Sequence, residues 1–172
     1  MFDFRKFTKE ITGKRVIVRK DGNVRAFHTL KSIIVCNVVS MYYTFHEVCH
    51  FIVTSSENKK KYNLRYGKDD NHGYNMPESD DRDDACREER LVGELQLHLI
   101  NKFKLGNIIF ETEDNEQINN YLEYIREYEK PTGEESLLDE ALEKVEETNK
   151  EFGINIEDII SKCMVNIDIK VE

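Results

Sequence analysis

The segment Tyr43-Thr44-Phe45-His46-Glu47-Val48-Cys49-His50-Phe51-Ile52 constrains this chain more than any other stretch. It reads H-E-x-x-H with uncharged flanks. On an α-helix, His46 and His50 stand one turn apart on a single face. Two neutral imidazoles at that spacing can share one zinc ion. Glu47 lies beside them, where it can serve as general base on a zinc-bound water. Val48, Cys49, Phe51 and Ile52 are the residue types of a helix buried inside a protein. A core helix with two hydrogen-bonded histidines and a capped glutamate would carry the same letters. It would also bury three ionisable groups on one turn without a cation, which is costly.

The chain has 172 residues, enough for one domain or for one domain with a small appendage. Apolar residues make up 39% and charged residues 34%, which suits a globular protein with a modest core. The longest apolar runs fall well short of the roughly 18 residues of a membrane span. The start, Met1-Phe2-Asp3-Phe4-Arg5-Lys6, lacks the apolar core of a signal peptide. Cys36, Cys49, Cys86 and Cys163 have no metal-finger spacing, so reduced thiols and a cytoplasmic location are expected. The net charge of −9 is unevenly spread. Residues 1–68 hold 14 Lys or Arg against 5 Asp or Glu, and residues 69–172 hold 11 against 29. Two halves that pack and neutralise each other explain this, and so does a charged interaction surface.

Along the chain, Lys14–Lys20 and Asn23–His28 read as two strands joined through the turn signal Asp21-Gly22, an antiparallel hairpin. Leu30–Thr54 reads as one buried helix or two abutting helices carrying the motif. Residues 55–80 read as a long polar loop, with a short hairpin at Lys61–Tyr66. Asp80–Lys104 reads as a second helix, and Asn107–Glu111 as a strand. Helices are expected at 115–128 and 134–151, with Gly153 as the stop. A short helix and a strand at Val165–Val171 complete the expectation. The fold class is α+β: a small antiparallel sheet or hairpin packed on the motif helix and a second helix, with a helical C-terminal part. Residues 1–104 form the metal-site region. Residues 105–172 form an acidic α/β part, packed on the first or merged with it into one compact domain.

A catalytic zinc needs a third protein ligand and an open position. Val53 and Ser56 stand where a metzincin would place its glycine and third histidine, which excludes that pattern. The second helix offers Glu88 and Glu89. At about 100° per residue, Leu91, Val92, Leu95 and Leu99 define its buried face, and Glu88 falls at the centre of that face. A carboxylate there needs a partner, and a zinc ion would be one. Glu88 is therefore the expected ligand, with Glu89 beside it as the alternative.

A motif helix, a loop, and then a helix bearing a glutamate resembles the gluzincin metallopeptidases. Within them the chain looks most like the ImmA/IrrE family of intracellular peptidases, several of which cleave transcription repressors. That family carries an H-E-L-G-H helix and then E-A-N-x-F-A-x-x-L-L. Here Glu88, Gly93 and Leu97 match the second motif and Val92 replaces its phenylalanine. Val48-Cys49 replaces Leu-Gly, the intervening loop is longer, and the trailing L-L-x-P is missing. The resemblance covers roughly residues 14–100. It implies a zincin-like fold, a Zn2+ cofactor held by His46, His50 and Glu88, catalysis by Glu47, and a protein substrate such as a transcription regulator.

Two further groups enter the expectation. His98 and Tyr42 are candidates for an oxyanion or substrate contact. Lys59, Lys60, Lys61 and Arg65, interleaved with Tyr62 and Tyr66, could grip an anionic partner, although a solvated loop explains them as well. Direct nucleic-acid binding would be confined to this basic N-terminal part. The competing functional class is a non-catalytic regulatory or inhibitory binding protein, with a zincin-like fold and an acidic interaction surface.

Overall fold

Asp3 starts the first element. Its Oδ1 accepts the Lys6 N–H at 2.9 Å, and Phe4–Thr12 follow as α1. Gly13, at φ 72°, ends the helix in the left-handed conformation that suits glycine. Phe4, Phe7, Thr8, Ile11 and Thr12 form its buried face. The sequence reading contained no helix here, although Asp3 and Gly13 are ordinary start and stop signals. The computed structural model describes residues 2–19, 25–28, 32–36, 41–61, 82–106 and 135–164.

Three strands follow: β1 (Arg15–Arg19), β2 (Arg25–His28) and β3 (Ser32–Cys36). Their order in the sheet is β1-β3-β2. β1 runs parallel to β3, with Val16 opposite Ile33, and β2 runs antiparallel to β3, with Phe27 opposite Ile34. This corrects the expected antiparallel hairpin, because β1 and β2 are not neighbours. It also corrects the expected helix from Leu30, whose first part is the central strand. The physical reason lies in Ser32-Ile33-Ile34-Val35-Cys36. It is uncharged and carries a run of β-branched side chains, which lose rotamer freedom in a helix and suit a strand paired on both sides. The arginine-bearing strands take the edges, where charge is tolerated and discourages further pairing.

The motif helix, α2, spans Met41–Val53, and a short helix α3 spans Ser56–Lys61 inside the segment read as loop. α4 covers Arg82–Lys102, α5 Leu138–Phe152 and α6 Ile156–Cys163, close to the helices expected in those regions. The expected features at Asp21-Gly22, Asn107–Glu111, 115–128 and Val165–Val171 lie outside the described residues, as does most of the hairpin at Lys61–Tyr66.

One apolar cluster runs through these elements. Phe7 stacks on Phe45 with ring centroids 5.0 Å apart, joining α1 to α2. Val48, Phe51 and Ile52 of α2 belong to it with Val92, Leu95 and Leu99 of α4. Ala141 and Val145 of α5 and Ile156, Ile160 and Cys163 of α6 extend it into the C-terminal part. Asp3 N–H donates to the Cys163 carbonyl at 2.9 Å, tying the first helix to the last. The motif helix is thus packed against α1, α4, α5 and the sheet. Among the described residues no helix is long and apolar enough to cross a membrane.

Candidate metal centre

α2 is buried along most of its length, with Phe45, Val48, Cys49, Phe51 and Ile52 fully enclosed. The two histidines meet α4, which supplies polar partners to both. His46 Nε2 and His50 Nε2 lie 3.1 Å apart there, with their rings at 83° to one another. Two lone pairs cannot face each other at that separation without a proton or cation between them. The Glu89 carboxylate closes the figure: Oε2 is 3.5 Å from His46 Nε2 and Oε1 is 3.3 Å from His50 Nε2. One donor atom from each of the three residues fits within 4.8 Å of the others.

These separations can be compared with a tetrahedral zinc site. Ligand bonds of about 2.0–2.2 Å at tetrahedral angles put neighbouring donors about 3.3–3.6 Å apart. The His46–His50 edge of 3.1 Å is slightly shorter, and the Glu89 distances of 3.3 and 3.5 Å fall in that range, one from each of its two carboxylate oxygens. The donor set, two imidazoles and one carboxylate, is that of a three-ligand catalytic zinc. The residues present therefore fit a zinc ion.

The Glu88 carboxylate is not at this convergence point. Its Oε1 lies 3.2 Å from His50 Nδ1, on the other side of the ring. Among the described residues, the group that could hold a metal ion therefore includes Glu89 and not Glu88. Centrality on the apolar face, the reason for choosing Glu88, works against it. A residue in the seam between two helices meets the imidazole nitrogen nearer the opposing backbone. A residue at the rim reaches the distal Nε2. The exposures agree, 23% for the Glu88 side chain against 45% for Glu89.

Gln96, fully buried, places Oε1 at 3.1 Å from His46 Nδ1. Glu88 meets the later histidine and Gln96 the earlier one, so α4 runs antiparallel to α2 here. Gln96 is absent from the sequence-based candidates, although helix periodicity points to it. It lies seven residues after Glu89, hence on the same side of α4.

Glu47 is 8% exposed, and its charge acts on both His50 and Lys14. Lys14 is buried at the α1–β1 junction. Burial pulls its ammonium down to about 8, against the opposing pull of Glu47. For His50, burial works to lower the pKa. Hydrogen bonds to Glu88 and Glu89, with the charges of Glu47 and Glu89, outweigh it and raise the imidazole to about 10. For Glu89, burial works upward, but His46 and His50 hold the carboxyl well below the usual range. Cys49 is fully buried with its thiol pushed up, the state of a packing residue.

The remaining candidates fare differently. His98 is nine residues beyond Glu89, which places it about 180° around α4, away from the histidine pair. Lys59 is not on a basic surface: it is 4% exposed, with Nζ donating to the Ile52 carbonyl at 3.1 Å and to Thr148 Oγ1 at 2.6 Å. Tyr42 lies on α2 one turn before His46, and Lys60 and Lys61 lie on α3, but their side chains are outside the described residues. Arg65 is outside them altogether.

No family model, no curated protein and no solved structure matches the chain.

Proposed function

We propose that this chain is a zinc-dependent peptidase that hydrolyses a specific intracellular protein. The observation that carries the reading is the convergence of His46 Nε2, His50 Nε2 and the Glu89 carboxylate at zinc-like separations. His46, His50 and Glu89 would hold the ion. When bound, zinc supplies Lewis acidity, which polarises a peptide carbonyl and makes water more acidic. Glu47 takes a proton from the attacking water and passes it to the leaving amine. The packed α2–α4 contact keeps the ligands in place, and the buried thiols Cys49 and Cys163 are compatible with a reducing compartment. A transcription regulator is the substrate class that the ImmA/IrrE resemblance suggests.

A second reading has its own observation. Glu88 and Glu89 together satisfy a charged His50, so the cluster can balance itself without an ion. The protein would then be a regulatory binding module, and the exposed acidic side chains of α5, among them Glu143 and Glu146, would meet a basic partner.

Metal content separates the two. The purified chain should carry about one zinc, lost in His46→Ala and in Glu89→Ala. Glu47→Gln should keep the zinc and lose cleavage by at least about 100-fold. New protein N-termini, generated in a lysate by the natural chain but not by Glu47→Gln, report that cleavage. A chain that binds no zinc with all three ligands intact would overturn the peptidase reading and leave the binding module.

A further inference from the structure

We propose that Glu88 and Gln96 are positioning residues, which fix His50 and His46 in the one tautomer that can accept a metal at Nε2. This rests on the zinc-site reading above and goes beyond it, to how the site is prepared for the ion. A neutral imidazole carries one N–H, at Nδ1 or at Nε2. Only the Nδ1–H form leaves Nε2 bare as a ligand. The ionised Glu88 carboxylate can only accept, and Oε1 of the Gln96 amide can only accept. Each stands at an Nδ1, at 3.2 Å for His50 and 3.1 Å for His46. Both contacts therefore select the tautomer whose bare nitrogen faces the other histidine and Glu89.

The arrangement brackets the pair. Glu88 and Gln96 are about 12 Å apart along α4, while His46 and His50 are about 6 Å apart along α2. The two acceptors hold the imidazoles from the outside. Glu89, next to Glu88 in sequence, reaches the inside. One helix thus supplies a ligand and both ring supports, so α4 must keep its register for the site to exist. The supports are unequal. Glu88 makes a charge-assisted bond, which is the stronger kind, and Gln96 a neutral one. Gln96 is the more deeply enclosed, fully buried within α4.

The test uses the full chain with 15N-labelled histidine. Zinc affinity is measured by competition with a chelator, and the tautomers are read from the ring 15N and Nδ1–H resonances of the zinc-loaded protein. The natural chain should show both histidines protonated at Nδ1 and bound through Nε2. Glu88→Met and Gln96→Met keep the side-chain length and remove the acceptor. Each should weaken zinc binding by about 10–100-fold. Glu88→Gln, which still accepts, should lose less than Glu88→Met. If either methionine variant does not fold, Glu88→Gln and Gln96→Glu answer in its place: both should retain the Nδ1–H tautomer. Methionine variants with natural affinity and unchanged tautomers would overturn the positioning role and leave the zinc site standing. So would zinc bound through Nδ1 in the natural chain. A natural chain that takes up no zinc would overturn both.

Discussion

Lys59 carries an ammonium group into a setting that an aliphatic side chain could fill. Its Nζ sits 5.2 Å from the centre of the Phe51 ring and 5.8 Å from that of Phe152. It donates to Thr148 Oγ1, which itself donates to the Ile52 carbonyl at 3.0 Å. That carbonyl lies in the last turn of α2, where intrahelical donors run out. Burial lowers the amine to about 8 from its ordinary 10.5, against the charges of Glu151 and Glu147. Between those values the unfolded chain binds the proton and the folded chain does not, so stability rises with pH. The contribution is fully present above about 10.5 and is lost as pH falls through about 8. Lys14 shifts the same way, so the comparison must be with a Lys59 variant. Measured by urea unfolding, the stability of the natural chain relative to Lys59→Met should rise by about 1–3 kcal/mol from pH 7.5 to 10.5. A flat difference would mean that the amine keeps its proton throughout.

α5 depends on a neighbouring helix for its start. Its own N-cap position is Leu137, whose side chain makes no capping hydrogen bond. Glu94 of α4 supplies the acceptor instead: Oε1 takes the Leu137 N–H at 2.8 Å and Oε2 the Ser136 hydroxyl at 2.6 Å. A carboxylate at a helix N-terminus also meets the positive end of the helix dipole. Glu94 is nearly buried, so removing it leaves donors unmet as well as a small void. Glu94→Ala should cost about 1–2 kcal/mol in chemical denaturation. The Arg87–Glu140 pair joins the same two helices in more exposed surroundings, so Arg87→Ala should cost less than about 1 kcal/mol. Equal losses for the two variants would show that the Glu94 cap has no special weight. The consequence for the site is direct, because Glu94 lies on the helix that carries Glu88, Glu89 and Gln96.

For the molecule as a whole, a zinc ion at the proposed site would cross-link α2 to α4. These are the two helices around which α1, α5 and the sheet are arranged. Binding to the folded chain alone adds about 2.7 kcal/mol when free zinc is a hundredfold above Kd. For a chain of this size that corresponds to a Tm increase of about 5–10 °C. A thermal melt with zinc should show that increase, and a chelator should reverse it. His50→Ala should melt at one temperature with and without zinc. A natural chain whose Tm ignored zinc would show that the folded chain does not bind the ion in preference to the unfolded one.

The local patterns were legible because they need only neighbours along the chain. The i, i+4 histidines with Glu47 beside them, the apolar stripe of Leu91, Val92, Leu95 and Leu99, and the stop at Gly153 depend on helix periodicity and backbone preference alone. The run Asp3–Gly13 is equally local, with its start and stop signals at the two ends of α1. Other features were decided by packing. Helical angle put Glu88 at the centre of a face, but it could not say which imidazole nitrogen a residue at that centre would meet. The crossing of α2 and α4 brought Glu89 to the Nε2 atoms and Glu88 and Gln96 to the Nδ1 atoms. Lys59 read as surface because its neighbours are lysines, yet α5 covers it with Thr148 and Phe152. The strand order reversed the hairpin expectation for the same reason. A turn signal specifies two adjacent segments, whereas the central place in a sheet goes to whichever strand loses least by being enclosed on both edges. Here that was Ser32–Cys36, and only the assembled sheet could select it.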